Sequence, residues 1–399
     1  MTADPVVIVG ASHAGAQLAA NLRKEKWAGD ILLIGDEGRL PYQRPPLSKA
    51  YLAGECHLND VAIRSRQFYD KQRIELLDGV ARSVDRRAHT VTLGDGRVQS
   101  YSTLALCTGA SARALPVPGA DLPGVHYLRT ANDVEAIRSA AVPGCKAVIV
   151  GGGYIGLETA ASLRVLGAEV TVLEAAGRVL ERVTAPMVSA FFDRIHREEG
   201  VDVRTSAMVE AFRGGGRVDG VVLADGEIHA ADLVIVGVGI IPNTDLAEAA
   251  GVDVDDGIVI DEHTRTSDPD IVAAGDCVNH PIERYGRRAR LECVAAATEQ
   301  AKVAAATICG KDSALSSLPW FWSDQYDLKL QIAGLNTGYD EVLLSGDPAH
   351  DRGFTCYYFR DRELIAADCV NRPQDFMAAK RVIAQRSSID RAELIGATS

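Results

Sequence analysis

The chain has 399 residues, of which 47% are hydrophobic and 37 are glycines, and its formal net charge is −12. This length predicts two or three domains, and the composition is typical of an α/β protein with many tight turns. The acidic balance argues against general nucleic-acid binding, and without a signal peptide or a long apolar run we expect a soluble cytoplasmic protein away from the membrane.

The first predicted element is a buried strand, Val6-Val7-Ile8-Val9, followed by a glycine-rich turn over 10–15 and a helix over 16–24. Such glycines let the backbone turn sharply and approach a pyrophosphate, and the helix N-terminus attracts the phosphates. A serine, Ser12, replaces the middle glycine; it narrows this approach, although its hydroxyl can donate a hydrogen bond. The next strand, over 31–35, ends at Asp36, where a carboxylate can accept hydrogen bonds from a ribose.

The segment 41–49 breaks regular structure and restarts as a helix, and alternating patterns predict strands over 74–77, 80–84 and 90–93. A buried strand over 103–107 is closed by Thr108 and Gly109. None of the eight cysteines forms a Cys-x-x-Cys pair or has a histidine at zinc-ligand spacing. We therefore expect reduced thiols, no metal site and no iron–sulfur cluster in this chain.

A second glycine-rich turn, over 151–156, follows the strand 147–150, and Glu174 ends the next strand. The carboxylate of Glu174 repels a 2′-phosphate and so favours NADH over NADPH, whereas a guanidinium at Arg178 would favour NADPH. Two such motifs, each with an acidic residue, predict two dinucleotides bound at once and redox chemistry between them.

Farther along, a strand over 233–236 ends in the segment 237–243, and a strand over 271–274 ends in Gly275-Asp276. An alanine-rich helix is predicted from about Val294. A change of composition near 318–322 marks a further domain, with strand-like segments over 328–330, 341–344 and 354–359.

The segments 41–49, 151–158, 237–243, 273–276 and 319–325 resemble, in this order, those of FAD-dependent ferredoxin reductases. The resemblance is to the putidaredoxin reductase and rhodocoxin reductase group and to the reductase components of aromatic-ring dioxygenases. It implies a glutathione-reductase-like α/β fold with two Rossmann-like dinucleotide-binding domains and a C-terminal α+β domain. The implied domains are an FAD domain over 1–109 and 243–316, an NADH domain over 110–242, and a C-terminal domain over 317–399.

The resemblance also assigns residues to the two cofactors. It implies that FAD contacts the first glycine turn and several strand ends: Gly10, Ser12, His13, Ala14, Gly15, Asp36, Arg44, Pro46, Lys49, Ala81, Thr108, Gly109, Arg129, Gly275, Asp276, Val294 and Trp322. It implies that NADH contacts the second turn and its surroundings: Gly151, Gly153, Tyr154, Ile155, Gly156, Glu158, Glu174, Val238 and Gly239.

Three residues are implied to act in catalysis. Lys49 and Glu158 would meet beside the reactive edge of the flavin, where a cation favours the reduced form; an ordinary surface ion pair is the alternative. Trp322 would cover that edge, and a buried core tryptophan is the alternative.

The segment 47–51 carries no thiol where related disulfide reductases and NADH peroxidases carry one. Electrons are therefore expected to leave directly from the flavin edge. Because a flavin can release them singly, the expected acceptor is a [2Fe–2S] ferredoxin that serves a cytochrome P450 or a ring-hydroxylating oxygenase. Arg284, Arg287, Arg288 and Arg290 could attract an acidic ferredoxin, or could form a merely solvated loop. The resemblance implies a monomer.

Two alternatives stay open at this point. One is an NADH oxidase or a quinone-type reductase. The other is a flavoprotein resembling apoptosis-inducing factor, in which NADH binding controls association with a partner.

Overall fold

The computed structural model describes residues 4–386, and its backbone divides into two compact units. Unit 1 consists of Met1–Gln43, Leu58–Ser111 and Ile241–Ser317, and unit 2 of Arg44–His57, Ala112–Ile240 and Leu318–Ser399. The three-domain division stays a prediction, and its residues 1–3 and 387–399 lie outside the described residues.

Strands and helices are numbered in chain order over the described residues. The strands are β1 (Val6–Val9), β2 (Ile31–Gly35), β3 (Ile74–Asp78), β4 (Ala81–Asp85), β5 (Thr90–Leu93), β6 (Val98–Ser100), β7 (Thr103–Leu106), β8 (Ala110–Ala112), β9 (Val125–Tyr127), β10 (Lys146–Val150), β11 (Glu169–Leu173), β12 (Asp202–Arg204), β13 (Val209–Arg213), β14 (Gly220–Leu223), β15 (Ile228–Ala230), β16 (Leu233–Val236), β17 (Ile240–Pro242), β18 (Ile258–Val259), β19 (Ile271–Ala273), β20 (Val278–Ile282), β21 (Arg287–Ala289), β22 (Trp320–Gln325), β23 (Leu328–Gly334), β24 (Glu341–Ser345), β25 (Phe354–Arg360) and β26 (Glu363–Val370). The α-helices are α1 (His13–Lys24), α2 (Ala50–Ala53), α3 (Arg66–Lys71), α4 (Ala131–Ala140), α5 (Tyr154–Val165), α6 (Pro186–Glu198), α7 (Asp245–Ala249), α8 (Val294–Ile308) and α9 (Pro373–Gln385). Short 3₁₀ turns cover Pro45–Ser48, Leu58–Val61 and Glu283–Tyr285.

Unit 1 is built on a parallel five-stranded sheet with the order β19-β7-β1-β2-β3. Its strands are apolar on both faces, because the sheet is covered on both sides by other elements. Helices α1 and α8 lie on one face, and small alanines such as Ala19, Ala301 and Ala304 let them pack closely. The strand order reverses between β1 and β7, so the carboxyl ends of these two strands border a crevice.

Unit 2 repeats this arrangement with a parallel five-stranded sheet in the order β12-β11-β10-β16-β9. Here the order reverses between β10 and β16. A second five-stranded sheet, β22-β23-β26-β25-β24, is antiparallel, and helix α9 packs against it through Phe376, Ala379 and Ile383. Parallel sheets with helices plus an antiparallel sheet confirm the predicted α/β fold class.

Smaller sheets complete the topology. The strands β4-β5-β6, β18-β20-β21, β13-β14-β15 and β17-β8 form them. The strand predicted over 80–84 lies one position later, where a register shift follows Ala81. No helix in the described part of the chain is long and apolar enough to cross a membrane.

A buried carboxyl group makes the antiparallel sheet sensitive to pH. Asp368 on β26 is fully buried, and its Oδ2 accepts a hydrogen bond from the hydroxyl of Tyr358 at 2.5 Å. Burial raises the pKa of Asp368 to about 7, against the opposing effect of this hydrogen bond. Since the unfolded chain releases this proton near pH 4, the folded state binds more protons between about pH 4 and 7. The titration of Asp368 therefore lowers the free energy of unfolding as pH rises through this window.

We expect Asp368→Asn to be more stable than the wild type at pH 8, by up to about 4 kcal/mol, with no gain at pH 4. The asparagine carbonyl can still accept the bond from Tyr358, while the charge is gone. Urea denaturation at both pH values checks this, with the exposed Asp121→Asn as the control. Equal gains at pH 4 and pH 8 would contradict the assigned titration.

Candidate functional site

The first glycine-rich turn lies in the crevice between β1 and β7. Gly10 follows β1 with a φ of +112°, and a Cβ there would lie 2.0 Å from the carbonyl oxygen of Cys107, directly after β7. A Cβ on Gly15 would lie 2.0 Å from the carbonyl oxygen of Gly10. Neither position admits a side chain, and Ser12 stands as the extended N-cap residue of α1. The turn thus brings the first N–H groups of α1 to the sheet edge, where they can bind phosphate.

The second turn has the same geometry between β10 and β16. Gly151 has a φ of +113°, and its Cβ would lie 2.4 Å from the carbonyl oxygen of Gly237, directly after β16. A Cβ on Gly156 would lie 2.0 Å from the carbonyl oxygen of Gly151. Gly153, the N-cap of α5, differs, because a Cβ there meets no described atom within 4 Å. Open space before a helix N-terminus fits the pyrophosphate of a dinucleotide.

Glu174 directly follows β11 and closes the second turn. Its Oε2 accepts a hydrogen bond from the backbone N–H of Gly152 at 2.6 Å, and its Oε1 accepts one from Ala176 at 2.7 Å. These bonds hold the carboxylate at the strand end where a dinucleotide places its ribose. Asp36, exposed after β2, occupies the corresponding place in unit 1.

Arg178, the residue that argued for NADPH, has its guanidinium engaged in local bonds. It donates to the carbonyl oxygens of Thr184 at 2.9 Å and Glu181 at 2.8 Å, and to the hydroxyl of Ser189 at 2.5 Å. With three of its five N–H groups in these bonds, the guanidinium stabilises its own loop and is less available to a 2′-phosphate.

Two further strand ends in unit 1 are held by side-chain amides. Thr108 donates its hydroxyl to the carbonyl oxygen of Asn243 at 2.6 Å, and the Asn243 amide donates back to the carbonyl oxygen of Thr108 at 2.9 Å. The backbone N–H of Gly275 donates to Gln300 Oε1 at 2.8 Å. Gln300 Nε2 is buried and has no hydrogen-bond partner among the described residues. This donor and the two glycine cradles fit a dinucleotide in each unit, and FAD and NAD(H) are both dinucleotides.

Lys49 and Glu158 form an ion pair within unit 2. Lys49 Nζ donates to Glu158 Oε2 at 2.6 Å and to the carbonyl oxygen of Pro45 at 3.2 Å. The hydroxyl of Ser48 donates to the same Oε2 at 2.5 Å. The Glu158 side chain is 2% exposed and that of Lys49 is 19% exposed. The carboxylate of this ion pair is therefore buried, and the pair is not an ordinary surface ion pair.

Strand β22 contacts the face of α5 that carries Glu158. Phe321 packs on Tyr154 with ring centroids 4.8 Å apart, and the hydroxyl of Ser323 donates to Glu158 Oε1 at 2.7 Å. Two residues along a strand advance about 6.7 Å and four along a helix about 6 Å, so the two pairs match in spacing. Glu158 therefore has three donors, two of them hydroxyls and one an ammonium.

Trp322 lies on the opposite face of β22 from Ser323, as strand alternation requires. It is half-buried and stacks on Trp320, with centroids 5.5 Å apart and planes 28° apart. Lys380 Nζ in turn lies 4.9 Å from the centroid of the Trp320 ring. Trp322 is therefore not a fully buried core residue.

The two units divide the predicted FAD residues. Unit 1 holds those of the first turn and the strand ends: Gly10, Ser12, His13, Ala14, Gly15, Asp36, Ala81, Thr108, Gly109, Gly275, Asp276 and Val294. Unit 2 holds the others: Arg44, Pro46, Lys49, Arg129 and Trp322. Within unit 2, Arg44 donates to the carbonyl oxygen of Arg129 at 2.8 Å.

The predicted NADH residues all lie in unit 2. Tyr154 and Ile155 begin α5, and Val238 and Gly239 follow β16. No group of histidine, cysteine or acidic side chains in the described residues could hold a metal ion.

The arginine cluster before α8 is partly turned inward. Arg288 donates to the carbonyl oxygens of Ile260 and Asn279, both at 2.6 Å. Arg290 pairs with Glu292 and is only 13% exposed. The Arg290 guanidinium is therefore largely withdrawn from a basic docking surface, whereas Arg288 stays exposed and is engaged through one nitrogen only.

Five residues around Glu158 were not singled out from the sequence: Ser48, His196, Ser323, Gln325 and Tyr326. Ser48 is adjacent to Lys49, and Ser323 and Gln325 alternate within the segment 319–325, so position alone offered a signal for these three. His196 offered none, since only the tertiary fold brings α6 to β22.

Comparison with known proteins agrees with this geometry. The family model described as pyridine nucleotide-disulphide oxidoreductase matches residues 4–301, and the model described as reductase C-terminal matches residues 320–398. The chain is 44% identical to putidaredoxin reductase CamA of Pseudomonas putida, over 97% of this chain and 93% of the relative.

Two solved structures are similar over almost the whole chain. One is the covalent putidaredoxin reductase–putidaredoxin complex, with a TM-score of 0.95 and 44% identity, covering 98% of this chain and 95% of that one. The other is the ferredoxin reductase for the CYP199A2 system from Rhodopseudomonas palustris, with a TM-score of 0.95 and 42% identity, covering 98% and 97%.

Proposed function

Because this chain belongs to the pyridine nucleotide-disulphide oxidoreductase family, as a member of its ferredoxin reductases, we propose that it passes electrons from NADH to a [2Fe–2S] ferredoxin. It is an oxidoreductase that uses FAD and NAD(H). The ferredoxin in turn serves a cytochrome P450 or a ring-hydroxylating oxygenase. In support, the relatives include the reductase of the CYP199A2 system and a reductase crystallised with putidaredoxin.

The observation that carries the proposal is the pair of matching glycine cradles. Gly10 and Gly151 have φ values of +112° and +113°, and each packs against the backbone that follows a neighbouring parallel strand. This repeated geometry supports two dinucleotide sites of the same design in one chain. FAD, when bound, accepts a hydride from NADH and gives up the two electrons one at a time, which suits a one-electron acceptor.

The chain's own residues bind and orient the reactants. The first N–H groups of α1 and α5 hold the two pyrophosphates, and Asp36 and Glu174 hold the ribose hydroxyls. Lys49, fixed by Glu158, supplies a positive charge for the reduced flavin, and Trp322 covers the flavin edge. The protein acts as a monomer that binds one ferredoxin at a time. Its location is the cytoplasm, and the eight free cysteines fit that reducing compartment.

Stopped-flow mixing tests the function. The FAD-loaded protein is first reduced by NADH and then mixed with [2Fe–2S] ferredoxins from the same source. We expect fast flavin reduction followed by flavin reoxidation that speeds up with ferredoxin concentration. Fast reoxidation by oxygen or a quinone without ferredoxin would instead indicate an oxidase or quinone reductase, and a stable reduced complex that only changes association would indicate a binding protein.

Cofactor preference provides a separate prediction at Glu174. We expect Glu174→Arg to lower kcat/KM for NADH and to raise it for NADPH, which changes the preference roughly 100-fold. The arginine removes the acceptor for the ribose hydroxyls and can pair with a 2′-phosphate. Steady-state reduction of ferricyanide with each nucleotide measures the change.

Glu181→Arg is the matched control, because this exposed residue lies on the same loop and reverses the same charge. It is expected to leave the preference unaltered. A wild-type protein that already prefers NADPH would contradict the role given to Glu174.

A further inference from the structure

A line of buried hydrogen bonds leads from Glu158 through the interior of unit 2. Ser323 Oγ lies 2.7 Å from Glu158 Oε1 and 3.1 Å from Gln325 Nε2. Gln325 Oε1 lies 2.8 Å from His196 Nε2, and His196 Nδ1 lies 3.0 Å from the hydroxyl of Tyr326. Ser323, Gln325 and His196 are each at most 1% exposed. We call Ser323, Gln325, His196 and Tyr326 the Glu158 string.

The charge of Glu158 determines where every proton in the string lies. An ionised Glu158 only accepts, so the single hydroxyl proton of Ser323 points to it, and Ser323 must accept from the amide of Gln325. The carbonyl oxygen of Gln325 then faces His196 and requires a proton on Nε2. His196 Nδ1 is left to accept from Tyr326. All four donors therefore point toward Glu158.

His196 is in the protonation state that this order requires. Burial lowers its pKa to about 4, although the hydrogen bond to Gln325 and the charge of Asp193 act in the opposite direction. The imidazole is therefore neutral near pH 7, with one nitrogen as donor and one as acceptor. A neutral ring can transmit one direction of hydrogen bonding, whereas an imidazolium would donate at both nitrogens.

Tyr326, at the end of the string, adopts a strained backbone conformation. Its φ is +56°, and it stands first in the two-residue turn between β22 and β23, where glycine is the usual residue. For a bulky side chain this conformation costs about 1 kcal/mol or more. The gain is its hydroxyl on His196 Nδ1 and its ring against the imidazole, with centroids 5.1 Å apart.

We propose that the Glu158 string is a positioning device that holds the Glu158 carboxylate in one orientation, so that Glu158 keeps the Lys49 ammonium in place for flavin reduction. Its aligned donors stabilise the charge at Oε1, while Lys49 and Ser48 occupy Oε2. The proposal has two halves. The structural half, that the string and Glu158 orient each other, does not depend on the function proposed above; the functional half, that this orientation serves flavin reduction, rests on it.

The His196 tautomer tests the structural half directly. In Glu158→Gln, Lys49 and Ser48 still require an acceptor, so the new amide turns its NH₂ toward Ser323 and reverses the string. We expect the His196 proton to move from Nε2 to Nδ1. Nitrogen-15 NMR of histidine-labelled, FAD-loaded protein at pH 7 measures this, with the signal assigned by its loss in His196→Gln.

Removing the Ser323 hydroxyl interrupts the string and should abolish the effect of Glu158→Gln on the His196 tautomer. In the Ser323→Ala background, Glu158→Gln is expected to leave the His196 tautomer as it is in Ser323→Ala alone. The control is Ser345→Ala: Ser345 is also 1% exposed on a strand of the same sheet, but its hydroxyl makes no hydrogen bond within the described residues. If the His196 proton stays on Nε2 in Glu158→Gln with Ser323 present, the proposal is overturned.

The functional half is tested by single-turnover reduction with NADH. We expect Ser323→Ala to lower the limiting rate constant of flavin reduction roughly tenfold, with the Kd for NADH unchanged, since a hydrogen bond to a charged group is lost. Ser345→Ala is expected to match the wild type. Equal rate constants in the two variants would refute the functional half, whereas a wild type that NADH does not reduce would refute the proposed function instead.

Discussion

Gly153→Val is expected to lower kcat/KM for NADH by roughly 100-fold or more while FAD uptake and folding stay intact. Gly153 has an ordinary φ of −80°, and a Cβ there meets no described atom within 4 Å, so the fold accepts a side chain. The space it would fill is where the pyrophosphate approaches α5. Ser12 holds the matching place in the first turn, so a small residue is compatible with a dinucleotide, and branched valine is the decisive change.

Three measurements separate this effect from misfolding. The variant should keep the flavin spectrum and the thermal midpoint of the wild type, and dithionite should still reduce its flavin fully. Gly215→Val is the matched control, because Gly215 also has no described atom within 4 Å of a Cβ and lies far along the chain from either turn. Normal reduction of Gly153→Val by NADH would remove the second turn as the NADH site.

The sequence predicted best those elements whose signal is local. Parallel strands buried on both faces appear as short apolar runs, and Val6–Val9 and Leu233–Val236 were predicted with the bounds that the structure has. The alanine-rich helix begins at Val294, as expected. Helix α6 (Pro186–Glu198) was not predicted, although its buried face includes Phe191, Phe192 and Ile195.

In the candidate site, too, the features encoded by neighbouring residues were predictable and those formed by distant residues were not. The glycine cradles are predictable because each turn is encoded within a few residues, and only the backbone partner, such as the carbonyl oxygen of Cys107, comes from elsewhere. The pair of Lys49 and Glu158 needed a family resemblance, since 109 positions separate them. The contact of His196 with Gln325 spans 129 positions and follows no motif, so it required the structure. The sequence likewise left the direction of the Arg178 side chain open.

Lys49→Met is expected to destabilise the FAD-loaded protein by on the order of 3 kcal/mol, more than Glu158→Gln does. Without the ammonium, the buried carboxylate of Glu158 retains only the hydroxyls of Ser48 and Ser323. In Glu158→Gln, by contrast, Lys49 is 19% exposed and can turn toward water. The double variant removes both charges, so it is expected to be more stable than Lys49→Met alone. Urea denaturation of the four proteins completes the double-mutant cycle.

The same variants should shift the flavin midpoint potential in opposite directions. Loss of the Lys49 cation disfavours the electron-rich reduced flavin and lowers the potential, whereas Glu158→Gln removes a negative charge and raises it. Lys311→Met is the control, because its pair with Glu25 at 2.5 Å is exposed on the surface of unit 1, and neither stability nor potential should change measurably. Shifts of the same sign in Lys49→Met and Glu158→Gln would show that these residues act through packing rather than through their charges.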